Sequence, residues 1–278
     1  MFTDTRIAFI GGGNMGSSLI GGLLKKGFAA SQIRVAEPSS AQRERVRQQF
    51  AVDVGDDNTV AVQDAQVVVF AVKPQMFRDA ARSLAPALAR TRPLIISIAA
   101  GILEPDICRW LGFDAAIVRA MPNTPALIGA GAAALYTNRF VTAEQRALAE
   151  QILTAVGIAV WLEDETLMDA VTAVSGSGPA YFFLLIELLE AAARELGLPM
   201  NVARELVTQT ACGAARMARE SAEDAVSLRQ QVTSPGGTTA AALDVLEQAK
   251  LREIFRKALT AARDRGAELS REFSKDEP

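Results

Sequence analysis

The clearest indication of the fold of this chain is RIAFIGGGNMGSSLIGGLL, residues 6–24. It places the spacing Gly11-x-Gly13-x-x-Gly16 between a short apolar run and a helical pattern. In such a turn the first glycine allows a tight bend, the second lets the backbone approach a pyrophosphate, and the third lets the helix pack on the strand. The helix N-terminus also offers N–H groups and a partial positive charge to phosphates. We therefore predict a dinucleotide-binding strand–turn–helix unit; a glycine-rich turn that serves packing alone is the alternative.

An acidic residue, Glu37, follows the next apolar run, at the place where a carboxylate accepts hydrogen bonds from a ribose 2′-hydroxyl. A carboxylate there repels a 2′-phosphate and therefore favours NAD over NADP. Arg43 and Ser39 lie close by in the sequence and are able to bind a phosphate instead. The choice between the two nicotinamide cofactors is left open.

The first half of the chain alternates apolar β-branched runs with helical patterns, which is typical of a parallel sheet with helices on both faces. After about Asp164 only helical patterns follow. We predict an α/β fold, with a Rossmann-type doubly wound sheet domain over residues 1–164 and an all-helical domain over residues 165–278. The predicted strands are 6–10, 33–36, 67–71, 94–98, 117–119, 133–136 and 159–162. The predicted C-terminal helices are 179–196, 199–220, 224–231, 238–248 and 251–273.

Two later strand ends fit the same crevice, because open α/β sheets bind ligands beyond the carboxyl ends of their strands. VVVFAVKP ends in Lys73 and Pro74, and LIISIAAG ends in Ala99, Ala100 and Gly101. The three small residues leave room for a nicotinamide ring. The alternative for both segments is that they are ordinary loops without a ligand. For Lys73 the alternative is a solvated surface charge.

Composition excludes several kinds of chemistry. The chain has 278 residues, half of them apolar, with a net charge of −3 and no histidine. The missing histidine excludes a Ser-His-Asp hydrolase and a His-ligated zinc site, and it removes the usual base for alcohol oxidation. The scattered charges give no footprint for nucleic acid or a membrane surface. Two cysteines without metal spacing, and a start that lacks the features of a signal peptide, predict a cytoplasmic protein.

The segment YFFLLIELLEAAA, residues 181–193, predicts a helix that is apolar nearly all round. Glu187 and Glu190 interrupt it, and as a segment it is too short to span a bilayer. A helix of this kind must be buried on every side, and a small helical domain offers few places for that. We predict that part of it packs against a second subunit; the core of a bundle is the alternative.

Two turns of small residues interrupt the helical half. SGSGPAY, residues 175–181, indicates a helix break with Pro179 opening the next helix, and both tight packing and a nearby ligand explain it. In SPGGTTAAAL, residues 234–243, a Pro-Gly-Gly turn precedes Thr238 and Thr239 at a helix start, whose first N–H groups lack internal partners. A small carboxylate fits there, and a threonine hydroxyl both donates and accepts hydrogen bonds. We predict a substrate-binding anion site, with helix capping as the alternative.

Several motifs together make the chain resemble the pyrroline-5-carboxylate reductases. These motifs run over essentially the whole chain and are FIGGGNMG, FAVKP, SIAAG, RAMPNTPA, AVSGSGPAYFF and VTSPGGTT. The resemblance implies a Rossmann-type domain and a helical domain that dimerises by interlocking helices, with further assembly of the dimers, commonly into decamers. The implied reaction is reduction of L-1-pyrroline-5-carboxylate to L-proline by hydride from NADPH or NADH, the last step of proline biosynthesis.

The resemblance also implies a set of site residues. Substrate would be held by Gly237, Thr238 and Thr239, with Thr239 as the catalytic residue facing the ring nitrogen. Family members often carry a small polar residue where this chain has Glu37. Some members use an acidic residue near the substrate amine, and Glu220 and Glu223 flank that position here without an assigned role. The residues that would contact the cofactor are Gly11, Gly12, Gly13, Asn14, Met15, Gly16, Glu37, Asn58, Ala71, Val72, Lys73, Pro74, Ala99, Ala100 and Gly101.

Two other functions fit parts of the pattern. A β-hydroxyacid dehydrogenase has a similar glycine turn and a helical domain, but it depends on a lysine from the helical half. Lys250, Lys257 and Lys275 adjoin neither small-residue turn. A non-catalytic dinucleotide sensor would have no use for the VTSPGGTT turn. The absorbance of the nicotinamide in a mixture of protein, NADPH and pyrroline-5-carboxylate distinguishes the three.

Overall fold

The computed structural model describes residues 5–275, and its strands form one eight-stranded sheet. The order across the sheet is β3-β2-β1-β4-β5-β6-β7-β8. Neighbouring strands run parallel, except that β6 and β7 are antiparallel. The strands are β1 (Ile7–Ile10), β2 (Ile33–Ala36), β3 (Asp53–Gly55), β4 (Val67–Phe70), β5 (Leu94–Ser97), β6 (Ile117–Met121), β7 (Gly131–Thr137) and β8 (Gly157–Leu162).

The α-helices first alternate with the strands and then follow one another without strands between them. Those of the first part are α1 (Asn14–Lys25), α2 (Ser40–Phe50), α3 (Asn58–Ala61), α4 (Pro74–Thr91), α5 (Glu104–Leu111) and α6 (Ala143–Thr154). Those of the second part are α7 (Met168–Val171), α8 (Gly178–Glu195), α9 (Met200–Glu220), α10 (Ala225–Gln231), α11 (Thr238–Gln248) and α12 (Leu251–Ser274). The predicted change from an alternating pattern to helices alone is confirmed.

Side chains of the central strands alternate between two apolar cores, one on each face of the sheet. Ile7 and Phe9 of β1 belong to the core that α1 and α6 cover, whereas Ala8 and Ile10 belong to the core that α4 and α5 cover. All residues of β1, β4 and β5 are buried. Burial on both faces is the reason why these strands read as continuous apolar runs. The predicted doubly wound α/β sheet is confirmed.

One strand, β3, was not predicted from the sequence. It is three residues long, lies at the edge of the sheet and buries only Val54. A single buried side chain between exposed polar neighbours leaves no alternation long enough to indicate a strand.

By internal packing the chain divides into two compact units, which we call the sheet unit (Met1–Ser177 with Ala261–Pro278) and the helical unit (Gly178–Thr260). The predicted boundary between residues 164 and 165 falls inside the sheet unit, because α7 packs on β7 and buries Met168. The other difference is at the end of the chain, where α12 begins in the helical unit and ends in the sheet unit.

The helical unit leaves most of its apolar side chains uncovered. Within the described residues of α8 to α11, only Gly178 and Ala203 are buried. A core inside this chain's own bundle therefore does not account for the apolar helix α8. The exposed apolar side chains of α8 are Phe182, Phe183, Leu184, Leu185, Leu188 and Leu189, which we call the α8 apolar face.

One helical run, Glu165–Glu195, is long and apolar enough to cross a membrane, judged by length and composition alone. It is longer than the segment 181–193 because a π-helical turn, Thr172–Gly176, joins α7 to α8. The prediction concerned residues 181–193 alone, and the helical run that contains them is longer than that segment. Length and composition are weak indicators, since core helices of soluble proteins also meet them.

Candidate nucleotide and substrate sites

Three of the predicted cofactor segments meet where the order of the strands reverses. From β1 the chain moves outward through β2 and β3, and then returns to β4 on the other side of β1. In open α/β sheets the crevice at such a switch point, beyond the carboxyl ends of the strands, binds ligands. Residues 11–16 follow β1, residues 71–74 follow β4, and residues 99–101 follow β5, so the structure brings all three segments to this edge.

The glycines after β1 have the separate structural roles that the spacing predicts. Gly11 has φ +101°, and a Cβ there would lie 2.6 Å from the carbonyl oxygen of Ala71. A Cβ on Gly16 would lie 2.7 Å from the carbonyl oxygen of Gly11. Gly13 differs, because nothing lies within 4 Å of a Cβ built on it. The backbone is therefore packed tightly on the protein side and open at Gly13, where a pyrophosphate would approach.

The first turns of α1 and α4 present backbone amides without side-chain caps. Gly13 is the N-cap of α1 and Lys73 is the N-cap of α4, and neither helix has a capping hydrogen bond from a side chain. Unsatisfied N–H groups at a helix start, together with the helix dipole, bind anions. Pro74 occupies the first turn of α4, where the missing N–H of proline is not needed. Both loops therefore fit a phosphorylated cofactor.

The carboxylate of Glu37 is fixed at the end of β2 by two backbone amides. Gly12 N–H donates to Oε2 at 2.9 Å and Ser39 N–H donates to Oε1 at 3.0 Å. Each oxygen keeps a lone pair that a ribose hydroxyl could use. The Arg43 guanidinium donates to the main-chain oxygen of Glu37 at 2.9 Å and pairs with Asp56 at 3.5 Å. Arg43, the alternative phosphate ligand, also donates to the carbonyl oxygen of Pro38 at 2.9 Å and therefore already has three partners.

The remaining predicted cofactor residues differ in how much ligand surface they offer. Asn58 is half-buried at the first position of α3, Ala100 is half-buried and Ala99 is buried. Gly101 has φ +76°, and a Cβ there would lie 3.2 Å from the ring of Phe273. One side of this glycine therefore packs against the end of α12, which the sequence did not indicate.

The turn before α11 does not use its threonines as caps. Gly237 is the N-cap and has no capping side chain, while Thr238 and Thr239 are the first two helical residues. Among residues 5–275, neither threonine hydroxyl has a hydrogen bond. Capping by a threonine, the alternative explanation of the sequence, is therefore not the arrangement observed.

One amide of the predicted anion site is already engaged. Gly237 N–H donates to the carbonyl oxygen of Ser234 at 3.0 Å, so the prediction that this amide is unpaired is wrong. The tight turn with Gly236 at φ +71° brings these two groups together. The amides of Thr238 and Thr239, in the first turn of α11, remain as the donors that an anion would meet.

The SGSGPAY segment packs closely against the sheet. The Asn123 side chain donates from Nδ2 to the carbonyl oxygen of Ser175 at 3.0 Å and accepts from the N–H of Ala132 at 2.9 Å. A Cβ on Gly176 would lie 2.5 Å from Cε of Met121. Close packing therefore explains the small residues at 175 and 176.

A buried ion pair in the RAMPNTPA motif was not foreseen. Arg119 of β6 lies 2.7 Å from Glu165 Oε1, and their side chains are 5% and 18% exposed. The same oxygen accepts from the N–H of Glu104 at 2.8 Å. Burial raises the pKa of the nearby Asp169 carboxyl, and the charge of Arg119 opposes that rise. An arginine inside an apolar strand was the signal available in the sequence, since a buried charge requires a partner.

Comparison with known proteins finds a matching family for each half of the chain. Residues 165–269 match the family described as pyrroline-5-carboxylate reductase dimerisation, and residues 6–101 match the family described as NADP oxidoreductase, coenzyme F420-dependent. The pyrroline-5-carboxylate reductase of Pseudomonas aeruginosa is 50% identical over 268 residues, which cover 96% of this chain and 98% of that protein. This chain belongs to the pyrroline-5-carboxylate reductase family.

Solved structures agree with membership of the pyrroline-5-carboxylate reductase family. The enzyme of Coxiella burnetii has a TM-score of 0.91 at 45% identity, with 95% of this chain and 98% of that chain covered. The pyrroline carboxylate reductase of Plasmodium falciparum, solved with NADP bound, has a TM-score of 0.87 at 28% identity, with 97% and 100% covered. The chain is an NAD(P)-dependent oxidoreductase of this family, and the predicted fold, enzyme class and nicotinamide cofactor are confirmed.

Proposed function

We propose that this chain reduces L-1-pyrroline-5-carboxylate to L-proline, with the hydride supplied by bound NADPH or NADH. The observation that carries the assignment of the substrate site is the start of α11. There a glycine stands at the N-cap, and two threonines with unbonded hydroxyls occupy the first turn.

The substrate carboxylate binds at the first turn of α11. The N–H groups of Thr238 and Thr239 donate to it, and the positive end of the helix dipole favours its charge. Because the Gly237 amide is bonded to Ser234, Gly237 contributes its small size rather than a donor. This arrangement binds a small carboxylate without an arginine.

The Thr239 hydroxyl orients the ring nitrogen of the substrate by a hydrogen bond. A hydroxyl both donates and accepts, so it can serve this nitrogen before and after reduction. A cyclic imine is already a strong hydride acceptor, and its nitrogen takes a proton from water or from a hydroxyl. The residues of the site therefore need to hold two reactants in a reactive pose more than they need to transfer protons. This explains how the reaction proceeds in a chain without histidine.

The cofactor occupies the crevice at the carboxyl ends of β1, β4 and β5. The open backbone at Gly13 and the start of α1 hold its pyrophosphate, and the Glu37 carboxylate accepts from its adenosine ribose. Residues 71–74 and 99–101 hold the nicotinamide half. The position of Glu37 favours NADH, because its charge repels the 2′-phosphate of NADPH.

Replacement of Thr239 tests the assignment of the substrate site. Thr239→Ala should lower kcat by roughly tenfold to a hundredfold, about 1.4–2.7 kcal/mol, a typical loss for one hydrogen bond in an active site. Thr239→Ser should keep much of the rate because it keeps the hydroxyl. The measurement is the decrease in nicotinamide absorbance at saturating pyrroline-5-carboxylate.

Thr154→Ala is the matched control, because its hydroxyl donates to the Glu150 carbonyl within α6. That variant should keep the wild-type rate. If Thr239→Ala and Thr239→Ser behave alike, the hydroxyl has no role in orienting the substrate.

We further propose that the chain forms a homodimer through residues 165–269, with the α8 apolar face covered by the second copy rather than by lipid. The match to a dimerisation family over these residues supports this choice of partner. Assembly of dimers into decamers and a cytoplasmic location, without nucleic acid or membrane as partners, remain predictions from the sequence. The molar mass in solution tests the assembly.

A further inference from the structure

The last two turns of α12 pack on the loop that follows β5. Ser270 is buried, and its Oγ would lie 3.4 Å from a Cβ on Gly101. The Phe273 ring would lie 3.2 Å from the same Cβ. Gly101 has φ +76°, so a side chain at this position would be strained as well as crowded. The end of α12 therefore requires glycine at this point of the loop.

Two arginines hold the C-terminal end of α12 in this place. Arg78 Nη2 donates to the carbonyl oxygen of Lys275 at 2.7 Å and to that of Phe273 at 3.4 Å. Arg109 Nη2 donates to the carbonyl oxygen of Ser274 at 2.9 Å. The last carbonyls of a helix lack partners within the helix, and cations near them are stabilising.

A buried carboxylate strengthens this attachment. Asp106 is 4% exposed, accepts a hydrogen bond from the Ser274 hydroxyl and pairs with Arg109 at 2.9 Å. The Arg78 guanidinium also lies over the ring of Trp110, 5.8 Å from its centroid. Because the Asp106 carboxylate is out of solvent, its ion pair with Arg109 is less screened than a pair between two exposed side chains.

The anchoring residues belong to the two helices that follow the nicotinamide loops. Arg78 is in α4, which begins at Pro74 directly after residues 71–73. Asp106 and Arg109 are in α5, which begins three residues after Gly101. The end of α12 thus contacts the loop 99–101 directly, and it is bonded to a side chain of the helix that follows residues 71–73.

We infer that Phe273 is a positioning residue for the cofactor, acting through Gly101. Its ring fixes the loop 99–101 from the side opposite the nicotinamide, and Arg78 and Arg109 keep the ring in place. This inference rests on the cofactor site proposed above. It adds a residue from the end of the chain that the glycine motifs do not include.

Replacement of Phe273 tests the inference. Phe273→Ala leaves the loop 99–101 without its support, and the Kd for NADPH and NADH, measured by nicotinamide fluorescence, should rise by roughly tenfold to a hundredfold. The KM for pyrroline-5-carboxylate should stay within about twofold, because the substrate site lies on α11. Phe273→Leu keeps most of the volume and should restore most of the affinity.

Arg271→Ala is the matched control, because Arg271 is exposed on the same turn of α12 and, among residues 5–275, donates only to the Ala267 carbonyl. An unchanged Kd in folded Phe273→Ala, or an equal rise in Arg271→Ala, would overturn the inference. Thermal unfolding checks that Phe273→Ala folds. If it does not, Arg78→Gln removes the anchor without opening the core, and it should raise the Kd in the same direction.

Gly13→Leu separates this inference from the proposed function. Gly13 has φ −65° and open space at its Cβ, so the protein accommodates a side chain that would occupy the pyrophosphate position. If Gly13→Leu abolishes NADPH binding while Phe273→Ala leaves it unchanged, the cofactor site stands and the role of Phe273 is overturned. If Gly13→Leu leaves the Kd unchanged, the cofactor site itself is wrongly assigned, and the inference is overturned with it.

Discussion

Phe9 in β1 and Leu188 in α8 are both large apolar side chains in regular elements, yet Phe9 is fully buried and Leu188 is 55% exposed. The same contrast separates the two units. The sheet unit covers both faces of its central strands with its own helices. The helical unit pairs α8 with α9 but leaves the α8 apolar face open.

The two units therefore obtain their stability from different sources. Burial of apolar surface stabilises a fold by about 25 cal/mol per Å², and the sheet unit gains this within one chain. The helical unit gains it only if another surface covers the α8 apolar face. We therefore expect apolar substitutions in the core of the sheet unit to lower the free energy of unfolding. Substitutions on the α8 apolar face should instead weaken the association of two copies.

The largest expected effect comes from a charge on the α8 apolar face. Leu188→Glu places an unpaired carboxylate in the proposed dimer contact. The free energy of association should weaken by about 3 kcal/mol for each copy, which is roughly 6 kcal/mol in a two-fold dimer. The variant should be monomeric at micromolar concentration. Sedimentation equilibrium measures the change.

Leu127→Glu provides the matched control, because Leu127 is 58% exposed in the sheet unit, outside the dimerisation match. It should keep the wild-type mass. Equal masses for the two variants would remove the distinction between the units.

A second test removes a core side chain from the sheet unit. Phe77 is fully buried and stacks on Phe70 with ring centroids 4.7 Å apart. Phe77→Ala should lower the free energy of unfolding by about 3–5 kcal/mol, because it removes buried surface and leaves a cavity. Urea denaturation measures the loss, and sedimentation should show an unchanged oligomer. Phe77→Leu serves as the milder control. If Phe77→Ala dissociated the oligomer without lowering the free energy of unfolding, the distinction between the two units would be wrong.

A third test asks whether the sheet unit alone selects the cofactor. Glu37→Ser removes the negative charge, and it should raise the ratio of kcat/KM for NADPH to that for NADH by roughly tenfold, about 1.4 kcal/mol. Parallel assays with the two cofactors give the ratio. Asp56→Ser, which removes an exposed carboxylate paired with Arg43, controls for the general loss of charge. An unchanged ratio in Glu37→Ser would exclude Glu37 from cofactor selection.

The smallest expected effect concerns a half-buried thiol of the sheet unit, that of Cys108. Burial raises the pKa of Cys108 to about 11, and its contact with Glu104 adds to the rise. Folding therefore favours the protonated thiol, and this stabilisation is present below the ordinary pKa near 9 and is lost as the pH rises towards 11. The melting temperature of Cys108→Ser should decline less between pH 8 and 10.5 than that of the wild type, with Cys212→Ser as the control. Identical declines in all three proteins would show that the thiol does not contribute.

The parts of the fold and the site that follow from local patterns could be predicted. The turn between β1 and α1 needs glycines at fixed spacing, and the strand ends at residues 73 and 99–101 were recognisable because apolar runs stop there. The start of α11 could be recognised by its glycines and threonines. The hydrogen bond from the Gly237 amide to Ser234 could not, because it depends on the conformation of the turn at Gly236.

Contacts between distant parts of the chain could not be predicted from those patterns. Arg119 finds its partner Glu165 across 46 positions, and Arg78 reaches Lys275 across 197 positions. The helical period of residues 251–273 predicted a helix, but it carried no information about which unit the end of that helix joins. That the end of α12 belongs to the sheet unit therefore became visible only with the packing.

Because the end of α12 belongs to the sheet unit, any attempt to isolate or exchange parts of this protein must take account of it. The sheet unit consists of two separated stretches of chain, so a fragment that stops at residue 164 omits Phe273 and uncovers Gly101. Such a fragment would retain every glycine of the dinucleotide motif and still lose the support of a loop proposed to hold the nicotinamide. A chimera that borrows this sheet unit needs residues 261–275 grafted with it.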